Sequence, residues 1–91
     1  MLRIERLANK ETVFRLIGRM DVEDIATLLA QFASEGEGRQ IVLDLKDLTL
    51  LDRDAVGFLE QCEVDRIALA NCPAYIRAWI ESERAMLADE L

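Results

Sequence analysis

A short apolar run in the middle of the chain constrains the fold more than any other feature. Residues 41–45 read Ile-Val-Leu-Asp-Leu, and a nearly continuous apolar stretch of this length is typical of an interior strand covered on both faces. Lys46 and Asp47 mark the end of the strand, and residues 48–51 lead into a segment with helical periodicity. An interior strand that runs into a helix predicts an α/β domain.

A β-hairpin is predicted ahead of that strand. Residues 12–17 read Thr-Val-Phe-Arg-Leu-Ile, mostly β-branched or aromatic types, and they end at Gly18. Leu2 and Ile4 alternate with charged neighbours, and the polar connector Ala-Asn-Lys-Glu has hairpin length. We therefore expect two antiparallel strands, over residues 2–7 and 12–18.

Two helices carry apolar residues at three- and four-residue steps. The first begins after Asp21, a suitable cap, and has one apolar stripe. The stripe consists of Val22, Ile25, Ala26, Leu28, Leu29, Phe32 and Ala33. The second helix begins after Asp52, and its predicted buried stripe consists of Ala55, Val56, Leu59 and Cys62. Gly57 inside this helix costs about 1 kcal/mol relative to alanine, which close approach of the helix to the sheet would explain.

A short last strand over residues 67–70 and a third helix starting at Pro73 complete the order β-β-α-β-α-β-α. This order predicts a single small α/β domain over residues 1–91. Its mixed four-stranded sheet packs against three helices.

The charge of the chain excludes two classes of partner. The net charge is -7 and there is no histidine, so nucleic acid and anionic membrane surfaces would repel the protein. No apolar stretch approaches the ~18 residues of a membrane-spanning helix, and the start of the chain does not resemble a secretory signal. We expect a cytoplasmic protein that does not insert into membranes.

Catalysis has little support in the sequence. The glycines fit no phosphate-binding loop, and no histidine base or embedded serine nucleophile is present. Four carboxylates near the strand end could suggest a magnesium site, although a chain with 18 acidic residues places several together by chance. They are Asp44, Asp47, Asp52 and Asp54. Cys62 and Cys72 match no zinc pattern and are expected to be free structural thiols. We predict no enzyme activity, no metal and no cofactor.

The segment Ile-Val-Leu-Asp-Leu-Lys-Asp-Leu-Thr-Leu-Leu-Asp-Arg-Asp-Ala-Val-Gly-Phe-Leu resembles the signature of the STAS domain. That family includes anti-sigma-factor antagonists and the cytoplasmic tails of sulphate transporters. Its pattern is a hydrophobic strand with Asp-Leu, a hydrophobic pair, and then Asp-Ser-Ser-Gly-Leu-Gly-x-Leu. The matching residues are Asp44, Leu45, Asp52, Val56, Gly57 and Leu59.

The departures from this pattern concern the family's phosphorylated residue. Asp54 stands at the position of the second serine, Arg53 at the first, and Ala55 replaces the first glycine. No hydroxyl remains for a kinase to modify. From Asp52 to Pro73 the chain is also roughly seven residues shorter than is usual for the family, or about two turns of helix. Asp54 either imitates the phosphorylated state in part or belongs to a protein that never used the switch.

The resemblance implies a non-catalytic cytoplasmic protein-interaction module of bacterial regulation, similar to anti-sigma-factor antagonists. The predicted partner-binding residues are Asp52, Arg53, Asp54, Val56, Gly57 and Phe58. The partner would be an anti-sigma-type kinase or, in the alternative function of a transporter accessory subunit, a transport component. Nucleotide binding lacks a phosphate cradle, and self-association into a homodimer stays open. Asp52, Arg53 and Asp54 also have a purely local explanation as a cap and a favourable charge at a helix start.

Overall fold

The structure, a computed structural model, describes residues 2–36 and 38–89, with the backbone alone for residues 86–89. The strands are β1 (Leu2–Ala8), β2 (Thr12–Met20), β3 (Ile41–Asp44), β4 (Leu48–Leu51) and β5 (Ala68–Ala70). The helices are α1 (Val22–Ala33), α2 (Arg53–Val64) and α3 (Ala74–Asp89). The predicted hairpin and all three predicted helices are present in the expected order. None of the described helices is both long enough and apolar enough to cross a membrane.

The sheet has five strands, so the prediction of four was wrong. Its order is β1-β2-β3-β5, with β1 antiparallel to β2 and the other pairings parallel. The additional strand, β4, also pairs with β2. Gly18 of β2 faces Leu2 on one side and Leu48 on the other, so β4 lies along the same edge of β2 as β3. Residues 48–51 form a strand because β2 is longer than β3 and offers them a second pairing segment.

The helices cover one face of the sheet. Both parallel crossovers, β2-α1-β3 and β4-α2-β5, advance in the same direction across the sheet, and right-handed connections then place α1 and α2 on the same side. All three helices contribute to one core. Its fully buried members include Phe14, Leu16, Met20, Leu28, Leu43, Val56, Leu59, Ile76 and Ile80.

The opposite face of the sheet is open. The alternate residues of β2 point to this face, and none of them is fully buried; they are Val13, Arg15, Ile17 and Arg19. The expectation that residues 41–45 are covered on both faces was therefore wrong. Leu43 lies in the core, whereas Val42 and Asp44 are only partly buried. The apolar run reflects an interior position between β2 and β5 and not a second helical layer.

Helix α1 buries only part of its predicted stripe. The side chain of Asp21 accepts a hydrogen bond from the Glu23 backbone N–H, and Asp24 accepts one from the Asp21 N–H, which closes the first turn. Leu28 is fully buried, but the side chains of Val22 and Leu29 are 55% and 53% exposed. The apolar stripe is thus wider than the face that contacts the sheet.

A buried carboxylate ties the hairpin to the end of α1. The side chain of Glu35 is 6% exposed and accepts two hydrogen bonds from the Arg6 guanidinium, at 3.1 and 3.0 Å. It also accepts one from the Thr12 hydroxyl at 2.7 Å, and Arg39 donates to that hydroxyl at 2.8 Å. The hydrogen bond from Arg6 is the main cause of a lowered pKa of Glu35. This network joins the hairpin to the carboxyl end of α1, at the end of the domain opposite to the starts of α1 and α2.

We predict that Glu35→Gln lowers the free energy of unfolding at neutral pH. Because the pKa of Glu35 is lowered in the folded state, its stabilising contribution is fully present above the unfolded carboxyl pKa of about 4.3. The contribution is lost as the pH falls through the lower folded pKa. Urea unfolding should therefore separate wild type and variant near pH 7 and show equal midpoints at low pH. Glu11→Gln, which changes an exposed side chain of the hairpin, serves as the control and should have no effect at either pH.

Gly57 lies on the exposed side of α2, so the expectation that it allows close approach to the sheet was wrong. A Cβ built on Gly57 would have no atom within 4 Å, and its backbone is not in the positive-φ region. Helix α2 still buries its predicted stripe, because Ala55, Val56 and Leu59 are fully buried. Only the side on which Gly57 lies was misassigned.

We predict that Gly57→Ala raises the free energy of unfolding by about 1 kcal/mol, since it restricts the unfolded chain and meets no steric obstacle. The reverse change at a matched exposed position in α1, Ala26→Gly, should lower the free energy of unfolding by a similar amount. Denaturant unfolding measures both. A destabilised Gly57→Ala protein would show that Gly57 does have a packing role.

Candidate partner-binding surface

The start of α2 is fixed by Asp52. This residue has an extended backbone, φ -93° and ψ 179°, and its carboxylate accepts a hydrogen bond of 2.8 Å from the Ala55 N–H. Leu51 before it is nearly fully buried, and Ala55 after it is fully buried. The predicted cap is confirmed. The exposed residues of the first turn lie between two buried residues, Leu51 and Ala55.

Asp54 and Arg53 project from that first turn. Asp54 is exposed, and it makes no hydrogen bond or ion pair with any residue that the structure describes. The side chain of Arg53 is 73% exposed and approaches Glu83 of α3 at 3.5 Å. An exposed ion pair of this kind adds little stability, about 0–1 kcal/mol. Arg53 and Asp54 therefore differ, since Arg53 has a neighbour of opposite charge and Asp54 has none in the described chain.

The predicted site residues do not all share one surface. Asp52, Arg53, Asp54 and Gly57 are exposed, and Phe58 is partly buried. Val56 is fully buried in the core and cannot contact a partner in this structure. We call the exposed or partly buried set the α2 surface; it consists of Asp52, Arg53, Asp54, Gly57 and Phe58. Whether a partner binds there stays a prediction.

Phe58 joins the α2 surface to a groove between α1 and α2. Its ring stacks on Phe32 with centroids 6.1 Å apart and an interplanar angle of 13°, and Phe32 in turn lies 5.6 Å from Phe14 in the core. The groove has a volume of about 170 Å³. Its lining is Leu29, Phe32, Phe58, Gln61, Cys62, Asp65 and Ile67. The sequence analysis did not predict this groove. The apolar stripe of α1 indicated it, because the stripe contains more apolar residues than one buried helix face can hold.

The sequence pattern also did not show that the starts of α1 and α2 are neighbours. Met20 at the end of β2 pairs in register with Leu51 at the end of β4, and each strand runs directly into a capping aspartate. The acidic residues of both first turns therefore lie at one edge of the sheet. They are Asp21, Glu23, Asp24, Asp52 and Asp54. Each carboxylate is favourably placed near the positive end of a helix dipole.

Asp44, one of the four carboxylates considered for magnesium, has a different role. Its Oδ1 accepts hydrogen bonds from the Lys46 N–H at 3.0 Å and from the Asn71 amide at 3.3 Å. Its other oxygen lies 3.8 Å from the Arg15 guanidinium. Asp44 thus shapes the turn between β3 and β4. Across residues 2–36 and 38–85, no three acidic, histidine or cysteine side chains are grouped so that they could hold a metal ion.

Comparisons with known sequences found no matching protein family and no curated relative. Comparison with solved structures found the anti-sigma factor antagonist SpoIIAA in its unphosphorylated form. The match has a TM-score of 0.57 and 18% identity, and it covers 99% of this chain and 98% of SpoIIAA. The chain has the STAS fold. The crystal structure of Mglu also matches, with a TM-score of 0.58 and 15% identity over 79% of this chain, which corresponds to 19% of Mglu.

The resemblance to STAS domains is therefore confirmed at the level of the fold. Within this STAS fold, the strand exit at Asp44 and the helix start at Asp52 both lie where the sequence motif predicted them, at the end of β3 and the cap of α2. Asp54, which the sequence resemblance places at the position of the regulatory hydroxyl, is the exposed second residue of α2.

The two cysteines lie in different environments. Cys62 is 2% exposed on the inner side of α2, where burial raises the pKa of its thiol to about 12. Cys72 is partly buried before α3, and burial raises the pKa of its thiol as well. Both are free cysteines in the structure.

We predict that iodoacetamide modifies Cys72 of the native protein much faster than Cys62 at about pH 8, because the thiolate is the reactive form and Cys62 is also shielded. Mass spectrometry of tryptic peptides over a time course measures both rates. Cys72→Ser should leave the native protein nearly unmodified, and urea-unfolded protein should react at both positions. Equal rates in the native protein would contradict the burial of Cys62.

Proposed function

We propose that this chain is a non-catalytic protein-interaction module, and that its partner binds the α2 surface. The observation that carries the proposal is the position of Asp54. It lies exposed in the first turn of α2, without an ion-pair partner among the described residues, in a fold shared with an anti-sigma factor antagonist. The proposed setting is bacterial-type regulation in the cytoplasm.

Asp54 supplies a constant negative charge where the resemblance to STAS domains places a phosphorylated hydroxyl. A carboxylate carries one charge, whereas phosphoserine carries about -1.5 to -2 with three acceptor oxygens. Asp54 therefore imitates a phosphorylated helix start only in part. This favours a module fixed in one binding state over one that switches between two.

Gly57 supports contact with a partner at the same surface. It is exposed, and a side chain added there would touch nothing in the domain, so packing within the domain does not require glycine. A bare backbone on an exposed helix face allows another chain to approach closely. The partly buried ring of Phe58 lies next to it and provides an apolar contact beside the charge of Asp54.

Ion pairs join the carboxyl end of α2 to α3. Glu63 of α2 accepts hydrogen bonds from Arg77 at 2.8 Å and from Arg84 at 3.2 Å. The hydrogen bond from Arg77 is the main cause of a lowered pKa of Glu63. A helix fixed in this way at its far end, and capped by Asp52 at its start, presents a preorganised surface, which reduces the cost of binding.

The proposed partner is an anti-sigma-type kinase, and the alternative is a component of a membrane transport complex. The two differ in their response to a restored hydroxyl. A kinase partner that discriminates charge at this helix start should bind the Asp54→Ser variant more tightly and phosphorylate it, whereas a transport component should do neither.

We predict that Asp54→Ser changes stability little and partner affinity strongly. The loss in the free energy of unfolding should be about 1 kcal/mol or less, because the exposed carboxylate only complements the helix dipole. A charge that faces a complementary or repelling group in an interface can change the binding free energy by several kcal/mol. Titration of wild type and variant against the purified kinase, with and without ATP, measures binding and phosphorylation.

The matched control is Glu11→Ser, which removes one exposed negative charge from the hairpin at the opposite end of β2. It should leave affinity unchanged, so that an effect of net charge alone is excluded. If Asp54→Ser binds every candidate partner as the wild type does while only its stability shifts, Asp54 is merely a helix-start residue and the proposed surface is wrong.

A further inference from the structure

The outer edge of β1 offers a second interaction surface, distinct from the α2 surface. Within the described residues β1 pairs with β2 alone, so its other edge presents a row of backbone N–H and C=O groups. The strand is seven residues long and contains no proline or lysine. Both residues commonly prevent an edge strand from pairing with another chain.

The charges on the open face of β1 have opposite signs two residues apart. Arg3 and Glu5 lie on this face together with Leu7, and their charged groups are 3.1 Å apart. Their side chains are 74% and 38% exposed. Protective charges on an edge strand repel a second copy when they have one sign. With two opposite charges at this spacing, each charge of one strand can instead lie opposite the charge of opposite sign on a second copy in an antiparallel pair.

Only one register of two β1 strands uses this complementarity. In a symmetric antiparallel pair of identical strands, directly opposed residues lie on the same face of the sheet. The two-fold axis therefore passes between the two copies of one residue, and residues equally far before and after it lie opposite each other. Centring on Arg3 or Arg6 places two arginines opposite each other, and centring on Glu5 opposes two glutamates. Centring on Ile4 places each Arg3 opposite the Glu5 of the other copy.

We propose that β1 pairs in antiparallel fashion with β1 of a second copy, centred on Ile4, and joins two five-stranded sheets into one. On the helix-bearing face the two Ile4 side chains would meet, and each Leu2 would face the stem of Arg6 in the other copy. On the open face, two Arg3–Glu5 pairs would cross the interface. This inference does not depend on the proposed function of the α2 surface.

The interface consists of one strand pair and its flanking side chains. We expect it to bury less than the roughly 1,200–2,000 Å² of a standard stable complex, so the dimer should form reversibly at high protein concentration. Sedimentation velocity of the full chain, from a few micromolar to about 1 mM, should show a monomer–dimer equilibrium. A monomer at every concentration would overturn the proposal.

Charge exchange tests the register. In a dimer of Arg3→Glu, a glutamate faces a glutamate in each interfacial pair. In a dimer of Glu5→Arg, an arginine faces an arginine. Each variant should therefore dimerise about tenfold more weakly or not at all. An equimolar mixture of the two variants should dimerise again, because each crossed pair then has opposite charges. Unchanged dimerisation of the single variants, or a mixture that stays monomeric although circular dichroism shows both variants folded, would exclude this interface.

Cross-linking provides a test that does not alter these charges. In the Cys72→Ser background, Ile4→Cys places two thiols directly opposite each other, at a Cα separation that a disulfide can bridge. Mild oxidation should give a covalent dimer of the folded protein. Ala8→Cys in the same background lies beyond the paired segment and should stay monomeric. Equal cross-linking of both variants, or none of Ile4→Cys, would overturn the proposed register.

Discussion

Strand β2 is the element on which the rest of the structure depends. It pairs with β1 along one edge and with both β3 and β4 along the other. Its side chains on the helix-bearing face are completely buried; they are Thr12, Phe14, Leu16 and Met20. Because β2 has nine residues and β3 only four, the end of β2 requires a further partner, which β4 supplies. The position of α2 follows from this, since β4 leads directly into Asp52.

The fold separates the residues that stabilise α2 from those that a partner could contact. Ala55, Val56 and Leu59 pack into the core, and Asp52 caps the helix. The exposed residues of the first turn contribute little to stability beyond a charge near the helix dipole. The side chain of Asp54 can therefore vary without loss of structure. The sequence resemblance to STAS domains accordingly persists at the strand and the cap, which the fold requires, and departs at Asp54, which the fold does not require.

The sequence predicted what local periodicity and capping determine. The hairpin, the starts of α1 and α2, and the buried stripe of α2 depend on residues close together in the chain. Strand β4 was missed because its four residues become a strand only by pairing with β2, about thirty residues away, where no local pattern reports it. The neighbouring starts of α1 and α2 follow from the same pairing. Gly57 was misplaced because a glycine has no side chain whose character indicates the face it occupies.

The edge of β1 and the α2 surface lie in different parts of the domain, and this has a consequence for binding. In the sheet order β1-β2-β3-β5, α2 connects β4 to β5, so β2 and β3 separate it from the edge of β1. A symmetric pair through β1 has its two-fold axis perpendicular to the sheet, which leaves the helices of both copies on the same side. Such a dimer would present two α2 surfaces in one direction. Binding at the second surface would then be intramolecular, so a dimeric or arrayed partner would be held far more tightly than a single one.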